Sequence, residues 1–299
     1  MSKFDQVILG INHMFLYPDS IVNGSVHTAT LAELAENPAM DALDCWVWAA
    51  NAKEELPILR NSGKQINYNI GDRFGETPVF PSTADKKERS YAMDTLRRET
   101  EFALECGAKK IIFASGKDVP LERNEAKKRF QDFVLEWMEH IPHDVWMTLE
   151  PTDQDVDKFF LYGDLLETCE CVKQIRDAGH NNMGILLDMG HIPIMHESLE
   201  SAVEKAAPYI EHIHLGNCVI KNKANPLYGD KHPCWGDVDG EYDEKDGARL
   251  LALLADAGYL TRGRPQTISF EMRPLVGMDA NQTVQHLRNW FNDTMICGL

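Results

Sequence analysis

The sequence is short of positive charge, of paired cysteines and of glycine-rich phosphate motifs, and each shortage removes a class of function. Across 299 residues, 30 Lys and Arg face 47 Asp and Glu, a formal charge of −17 with histidines neutral. Nucleic acid and anionic membranes require a cationic face, so neither is expected as a partner. No GxGxxG and no GxxxxGK(S/T) segment occurs, which argues against dinucleotide and P-loop folds. The seven cysteines (45, 106, 169, 171, 218, 234 and 297) form no CxxC pair. An odd, scattered set predicts reduced thiols in a cytoplasmic protein, and Cys169-Glu-Cys171 reads as two helix cysteines. No apolar run approaches the roughly 18 residues of a membrane span. Met1 to Asp5 is polar and Val7–Ile11 is short, so no secretory leader is expected. No linker or low-complexity tract divides the chain, which is read as one domain over 1–299.

What is present is alternation. Short apolar runs recur at Val7–Asn12, Leu43–Trp48, Ile66–Ile70, Lys110–Ala114, Val145–Leu149, Gly184–Asp188, His212–Leu215 and Thr267–Phe270. Segments of helical period lie between them, among them Glu88–Cys106, Arg129–His140, Leu165–Ala178, Ala248–Ala257 and Ala280–Phe291. Gly179 and Gly258 are expected to end their helices. Runs such as Ile111-Ile112-Phe113 and Ile185-Leu186-Leu187 are apolar on both faces, as parallel strands covered by helices are. Eight such units of roughly 36 residues predict an α/β fold, a (β/α)₈ TIM barrel. Two irregular regions stand out, Gly71–Lys87 and the long Cys218–Asp243 loop after the seventh strand, which is expected over the catalytic face.

The chemistry gathers where the last four strands end: Leu149-Glu150-Pro151, Asp188-Met189-Gly190-His191, His212-Ile213-His214 and Phe270-Glu271. A barrel brings neighbouring strand ends to one mouth, so Glu150, Asp188, His214 and Glu271 are expected around one point. Three carboxylates and an imidazole suit a divalent ion, Mn²⁺ first, with Mg²⁺ or Co²⁺ as alternatives. Without a cation the carboxylates would repel one another.

These strand-end motifs resemble the xylose-isomerase-like barrels, which include ketose 3-epimerases, hydroxypyruvate isomerase and relatives of endonuclease IV. The resemblance implies metal ligation by Glu150, Asp188, His214 and Glu271, and a substrate-facing His191. It also implies that Glu150 and Glu271 exchange substrate protons, as in a sugar isomerase or epimerase working on a keto-sugar through an enediolate. After His214 the chain departs from the epimerase pattern, with Asn217-Cys218-Val219-Ile220-Lys221 and then Tyr228–Gly236. This stretch looks closer to sugar phosphate isomerase/epimerase relatives, some of them lyases. The alternative is therefore a lyase on an oxidised sugar, such as a C-glycoside deglycosidase subunit or an oxo-sugar-acid decarboxylase.

Around this core, His232 reads either as a surface residue or as a catalytic proton donor. His13 and Asn217 are expected to touch substrate, and Arg273 to pair with a substrate carboxylate or to neutralise the ligand charge. Trp46 and Trp48 share one side of a strand. Trp48 is taken as a substrate wall, with Phe15, Tyr68 and Trp235 as further aromatic candidates. The expected partner is a small non-phosphorylated carbohydrate, alongside a homo-oligomer or a second subunit.

Overall fold

The computed structural model describes residues 7–71 and 79–296. Met1 to Asp5, Cys297 and residues 72–78 of the irregular stretch after the third strand lie outside the described residues. Eight strands run β1 (Val7–Asn12), β2 (Ala42–Cys45), β3 (Gln65–Asn69), β4 (Lys110–Phe113), β5 (Trp146–Leu149), β6 (Met183–Asp188), β7 (Ile210–Gly216) and β8 (Gln266–Glu271). All pair in parallel with their sequence neighbours, and β1 pairs with β8, so the sheet closes as a (β/α)₈ TIM barrel. The larger helices are α2 (Gly24–Glu36), α3 (Ala52–Asn61), α4 (Lys86–Glu105), α5 (Arg123–Met138), α6 (Leu165–Asp177), α8 (Leu199–Ala206), α9 (Glu244–Asp256) and α10 (Ala280–Ile296). Two single-turn helices, α1 (His13–Leu16) and α7 (His191–Ile194), follow β1 and β6 directly.

Local chemistry sets these boundaries. Asp85, Asp164 and Ser198 cap α4, α6 and α8 by accepting from first-turn amides. Asp243 and Asp246 form a reciprocal capping box on α9. Gly179 and Gly258 follow α6 and α9 with φ of 110° and 78°, a backbone that favours glycine at a helix exit.

Strand period divides the residues between two environments. Ile213, Leu215, Ile268 and Phe270 belong to the apolar layer under the helices, where Phe270 meets Trp235 and Trp290. Phe113 likewise packs edge-on against Trp137, with ring centroids 5.2 Å apart. The alternate residues on β7 and β8 join a buried polar network. In it His212 and His214 both bond Asp44 of β2, across the barrel, and so does Ser269. Lys110 of β4 reaches Thr267 Oγ1 on β8 at 2.8 Å. The barrel interior is thus a polar column wrapped in an apolar sleeve.

Strand β2 is shorter than the sequence pattern predicts. Trp46 and Trp48 lie beyond it, against the ring of His27 in α2, with centroids 4.6 and 6.0 Å away. The six described cysteines are buried and free, Cys169 and Cys171 among them on α6.

Candidate active site

Glu150, Asp188, His214 and Glu271 meet at the C-terminal mouth of the barrel, delivered by β5, β6, β7 and β8. Each supplies one ligand-type atom, and the four atoms lie within 4.8 Å of one another. His214 Nδ1 stands 2.6 Å from Glu271 Oε2, 3.4 Å from Asp188 Oδ2 and 3.8 Å from Glu150 Oε1. Asn12, at the end of β1, donates from Nδ2 to Glu271 Oε1 at 2.6 Å and also caps α1. Gly190 N–H donates to Asp188 Oδ1, while Asp188 Oδ2 is buried with no hydrogen-bond partner.

Orphaned buried carboxylate oxygens are costly, and a divalent cation is the group whose chemistry matches this oxygen-rich set. The electrostatics agree. Burial, with Asp188 and Asp230 nearby, raises the Glu150 carboxyl to about 7 even though His191 and His214 oppose the shift. Burial and the Asp188 charge push Glu271 well above the usual carboxylate range. Burial works against ionised Asp188 too, but His191, Glu271 and His214 hold it low. Protein charges alone disfavour the ionised forms of Glu150 and Glu271, and a cation would relieve that.

Asp44, which sequence reasoning missed as a site residue, sits beneath. His214 Nε2–H donates to its Oδ2 at 2.7 Å, which orients the ring and leaves Nδ1 toward the three carboxylates. His212 shares the same oxygen at 2.6 Å, and Asn67 and Ser269 donate to Oδ1. The sequence signal was a lone carboxylate inside the apolar run Ala42-Leu43-Asp44-Cys45.

Above the four lies a cavity of about 330 Å³, lined by Glu150, Glu271, His191, His232, Asp230 and Arg273, with Phe15, Lys158 and Lys231 among its other walls. The Cys218–Asp243 loop supplies Asp230, Lys231 and His232. Asp230 is the second residue that sequence reasoning missed: its Oδ1 accepts from His191 Nε2 at 3.0 Å and His232 Nε2 at 2.6 Å. The other ring nitrogens face carbonyls, His191 Nδ1 to Pro151 O and His232 Nδ1 to Glu271 O. Both rings are therefore donors on both sides. Burial opposes their charge, but Asp230, Asp188 and Glu150 raise His191 well above its ordinary value, and Glu271 and Asp230 raise His232 to about 9. His232 holds φ at +46°, uncommon for a non-glycine residue, and its ring lies 4.1 Å from that of Phe15. With Asp188, His191 and His232 make another group of ligand-type atoms within 4.8 Å.

Three of the residues expected at the substrate point elsewhere. His13 is fully buried, with Nε2 on Thr30 at 2.8 Å and its ring against His27, because β1 gives way to α1 at that residue and turns the ring toward α2. Trp48 lies in the helix layer with Trp46 and His27. Asn217 is buried inside its own loop: Nδ2 donates to the carbonyls of Cys234 and Tyr242, and Oδ1 accepts from the amides of Cys218 and Tyr242. Of the other aromatic candidates, Tyr68 is fully buried and donates to Glu99, and Trp235 donates to Gly216 O beneath the loop. Phe15 is the aromatic of that set that lines the cavity.

The profile of the xylose isomerase-like TIM barrel family matches residues 53–294. No curated protein matches the chain by sequence. Among solved structures, a D-tagatose 3-epimerase-like protein superposes with a TM-score of 0.71 at 17% identity, over 98% of this chain and 100% of that one. D-psicose 3-epimerase from Clostridium cellulolyticum H10, solved with D-tagatose, gives 0.62 at 17% identity, over 97% and 94%. An IolI protein with a bound zinc atom gives 0.68 at 17% identity, over 98% and 99%. At such identities the likeness is one of fold.

Proposed function

The chain belongs to the xylose isomerase-like TIM barrel family, and from that premise we propose that it is a divalent-metal-dependent sugar isomerase or epimerase acting on a keto-sugar. The observation that carries this reading is the convergence of Glu150, Asp188, His214 and Glu271 on the floor of a sugar-sized cavity. These four residues would hold the cation, with Mn²⁺ the ion proposed. When bound, it supplies Lewis-acid polarisation of the substrate carbonyl and acidifies the adjacent C–H.

The chain's own residues do the rest. Glu150 and Glu271 stand on different strands, so one carboxylate removes the proton from carbon and the other returns it from a different side. Return on the opposite face inverts the centre, whereas return to the neighbouring carbon interconverts ketose and aldose. His191 and His232, both held against Asp230, line the cavity and favour by their positive charge the oxygen that gains charge in an enediolate. Phe15 and the loop carrying residues 230–232 cover the cavity and restrict water. Two similar folds carry 3-epimerase names, which favours proton transfer over the lyase alternative.

The test is metal-loaded protein with a ketose panel that includes D-tagatose and D-psicose, followed by NMR in D₂O. Deuterium uptake at carbon beside the carbonyl is expected, reduced by about 10²–10⁴-fold in Glu271→Gln. Undiminished turnover in that variant would remove Glu271 from the chemistry. Carbon dioxide or aglycone release from an oxidised sugar, without exchange, would overturn the reading in favour of the lyase.

A further inference from the structure

Besides His191 and His232, three cationic side chains line the cavity among the described residues, and they are not equivalent. Lys158 Nζ lies 3.3 Å from Asp230 Oδ2, and Lys231 Nζ lies 2.9 Å from Asp157 Oδ2. Arg273 has no carboxylate within ion-pairing distance among the described residues. Its Nε donates to Lys231 O at 3.1 Å, and its main-chain N–H donates to His232 O at 3.0 Å. Those two bonds tie Arg273 to the loop that roofs the site. The two Nη groups of this half-buried guanidinium have no protein acceptor among the described residues.

The sequence left open whether Arg273 neutralises the ligand carboxylates. It does not: Glu271 is engaged by Asn12 and His214, Glu150 by His191 and His214, and Asp188 by Gly190 and His214. A guanidinium fixed through Nε presents a planar fork suited to two-point recognition of an oxyanion. A neutral sugar filling this space would strip water from that fork and return no charge.

We propose that the substrate carries an anionic group, a carboxylate or a phosphate, received at the cavity mouth by Arg273 while the sugar's carbonyl end lies over Glu150 and Glu271. The inference rests on the proposed proton-transfer function and adds the class of molecule on which it acts. The acidic floor takes the polarised carbonyl end and the cationic rim takes the anion, so the substrate enters in one orientation.

Three ketoses that differ only at C6 provide the test: D-fructose, D-fructuronate and D-fructose 6-phosphate. For each, kcat/KM is measured as metal-dependent solvent deuterium exchange, and Kd by calorimetry. One of the two anionic ketoses is expected to exceed D-fructose by at least about tenfold, and which one leads identifies the source as carboxylate or phosphate. In Arg273→Gln the preference collapses to within about threefold, through KM and Kd, and Arg273→Lys restores part of it. Exchange with D-fructose at the same efficiency as both anionic compounds would overturn the inference and leave the proton-transfer function standing. Selectivity retained in Arg273→Gln would overturn the role of Arg273. Absence of exchange with all three would count against both.

Discussion

At the carboxylate of Asp44 four donors converge: Asn67 and Ser269 on one oxygen, His212 and His214 on the other. The partners fix what each group can be. Burial alone would favour the neutral acid, but His212 and His214 hold Asp44 well below the usual carboxylate range. An ionised Asp44 keeps the proton of His214 on Nε2, and Nδ1 is then the atom that faces Glu150, Asp188 and Glu271. Asp44→Asn retains the shape but removes that preference. It is expected to lower Mn²⁺ affinity by about 10–100-fold while leaving the circular dichroism spectrum unchanged. Titration of chelator-treated wild type and variant reads this directly. The residue scale is also where the sequence was least legible. Glu150, Asp188, His214 and Glu271 stood out because each closes an apolar run. Asp44 lies inside such a run, and its partners come from β3, β7 and β8, a relation that appears only once the sheet has closed.

The loop from Asn217 to Asp243 supplies Asp230, Lys231 and His232 to the cavity. Its interior is organised by Asn217, whose amide makes four bonds to the main chain at residues 218, 234 and 242. Val219 and Gly229 pair as a bridge, and Trp235 donates to Gly216 O. This framework places Asp230 between the two histidines. Asn217→Ala leaves buried main-chain groups without partners and is expected to lower stability by about 1–3 kcal/mol. KM should rise as Asp230 and His232 shift, while the four strand-end residues still bind metal. Thermal melts and steady-state kinetics check both halves. Loop composition showed that the segment was long and aromatic but not how it folds, because no periodic pattern records that Asn217 braces it. Strands were legible to within about two residues at most ends, since burial on both faces leaves continuous apolar runs. Strand β2 was read too long because Val47 and Trp48 resemble strand residues, yet the tryptophans turn out to cover His27. Helices α2, α3 and α8 were not singled out in the sequence, and α3 carries Pro57 within its span.

Across the whole molecule, the net charge of −17 argues against a broad cationic face, and no helix of the described residues is long and apolar enough to cross a membrane. The acidity reaches the barrel interior, where Asp44 and the three strand-end carboxylates surround the axis. Lys110 lies toward the opposite end, with Nζ on Glu211 O and Thr267 Oγ1. Burial lowers its amine to about 7, against the pull of Glu211 and Asp44. Between about pH 7 and 10.5 the unfolded chain therefore binds more protons at this lysine than the folded chain, and its contribution to stability rises with pH. Stability of wild type relative to Lys110→Met should accordingly improve as pH rises from 7 to 10. Denaturant unfolding at three pH values measures the trend, and a constant difference would mean that Lys110 keeps its ordinary proton affinity.

Glu150, Asp188, His214 and Glu271 are proposed to hold a divalent cation. Without it, Glu150 is raised to about 7, and Glu271 and His214 lie well above their ordinary values. Cation entry must then displace protons. Calorimetric titration of Mn²⁺ into chelator-treated protein near pH 6.5, in two buffers of different ionisation enthalpy, tests this most directly. Saturable binding is expected, with proton release, affinity that increases with pH, and at least about tenfold weaker binding in Asp188→Asn. Absence of saturable binding, or equal affinity in wild type and Asp188→Asn, would contradict it.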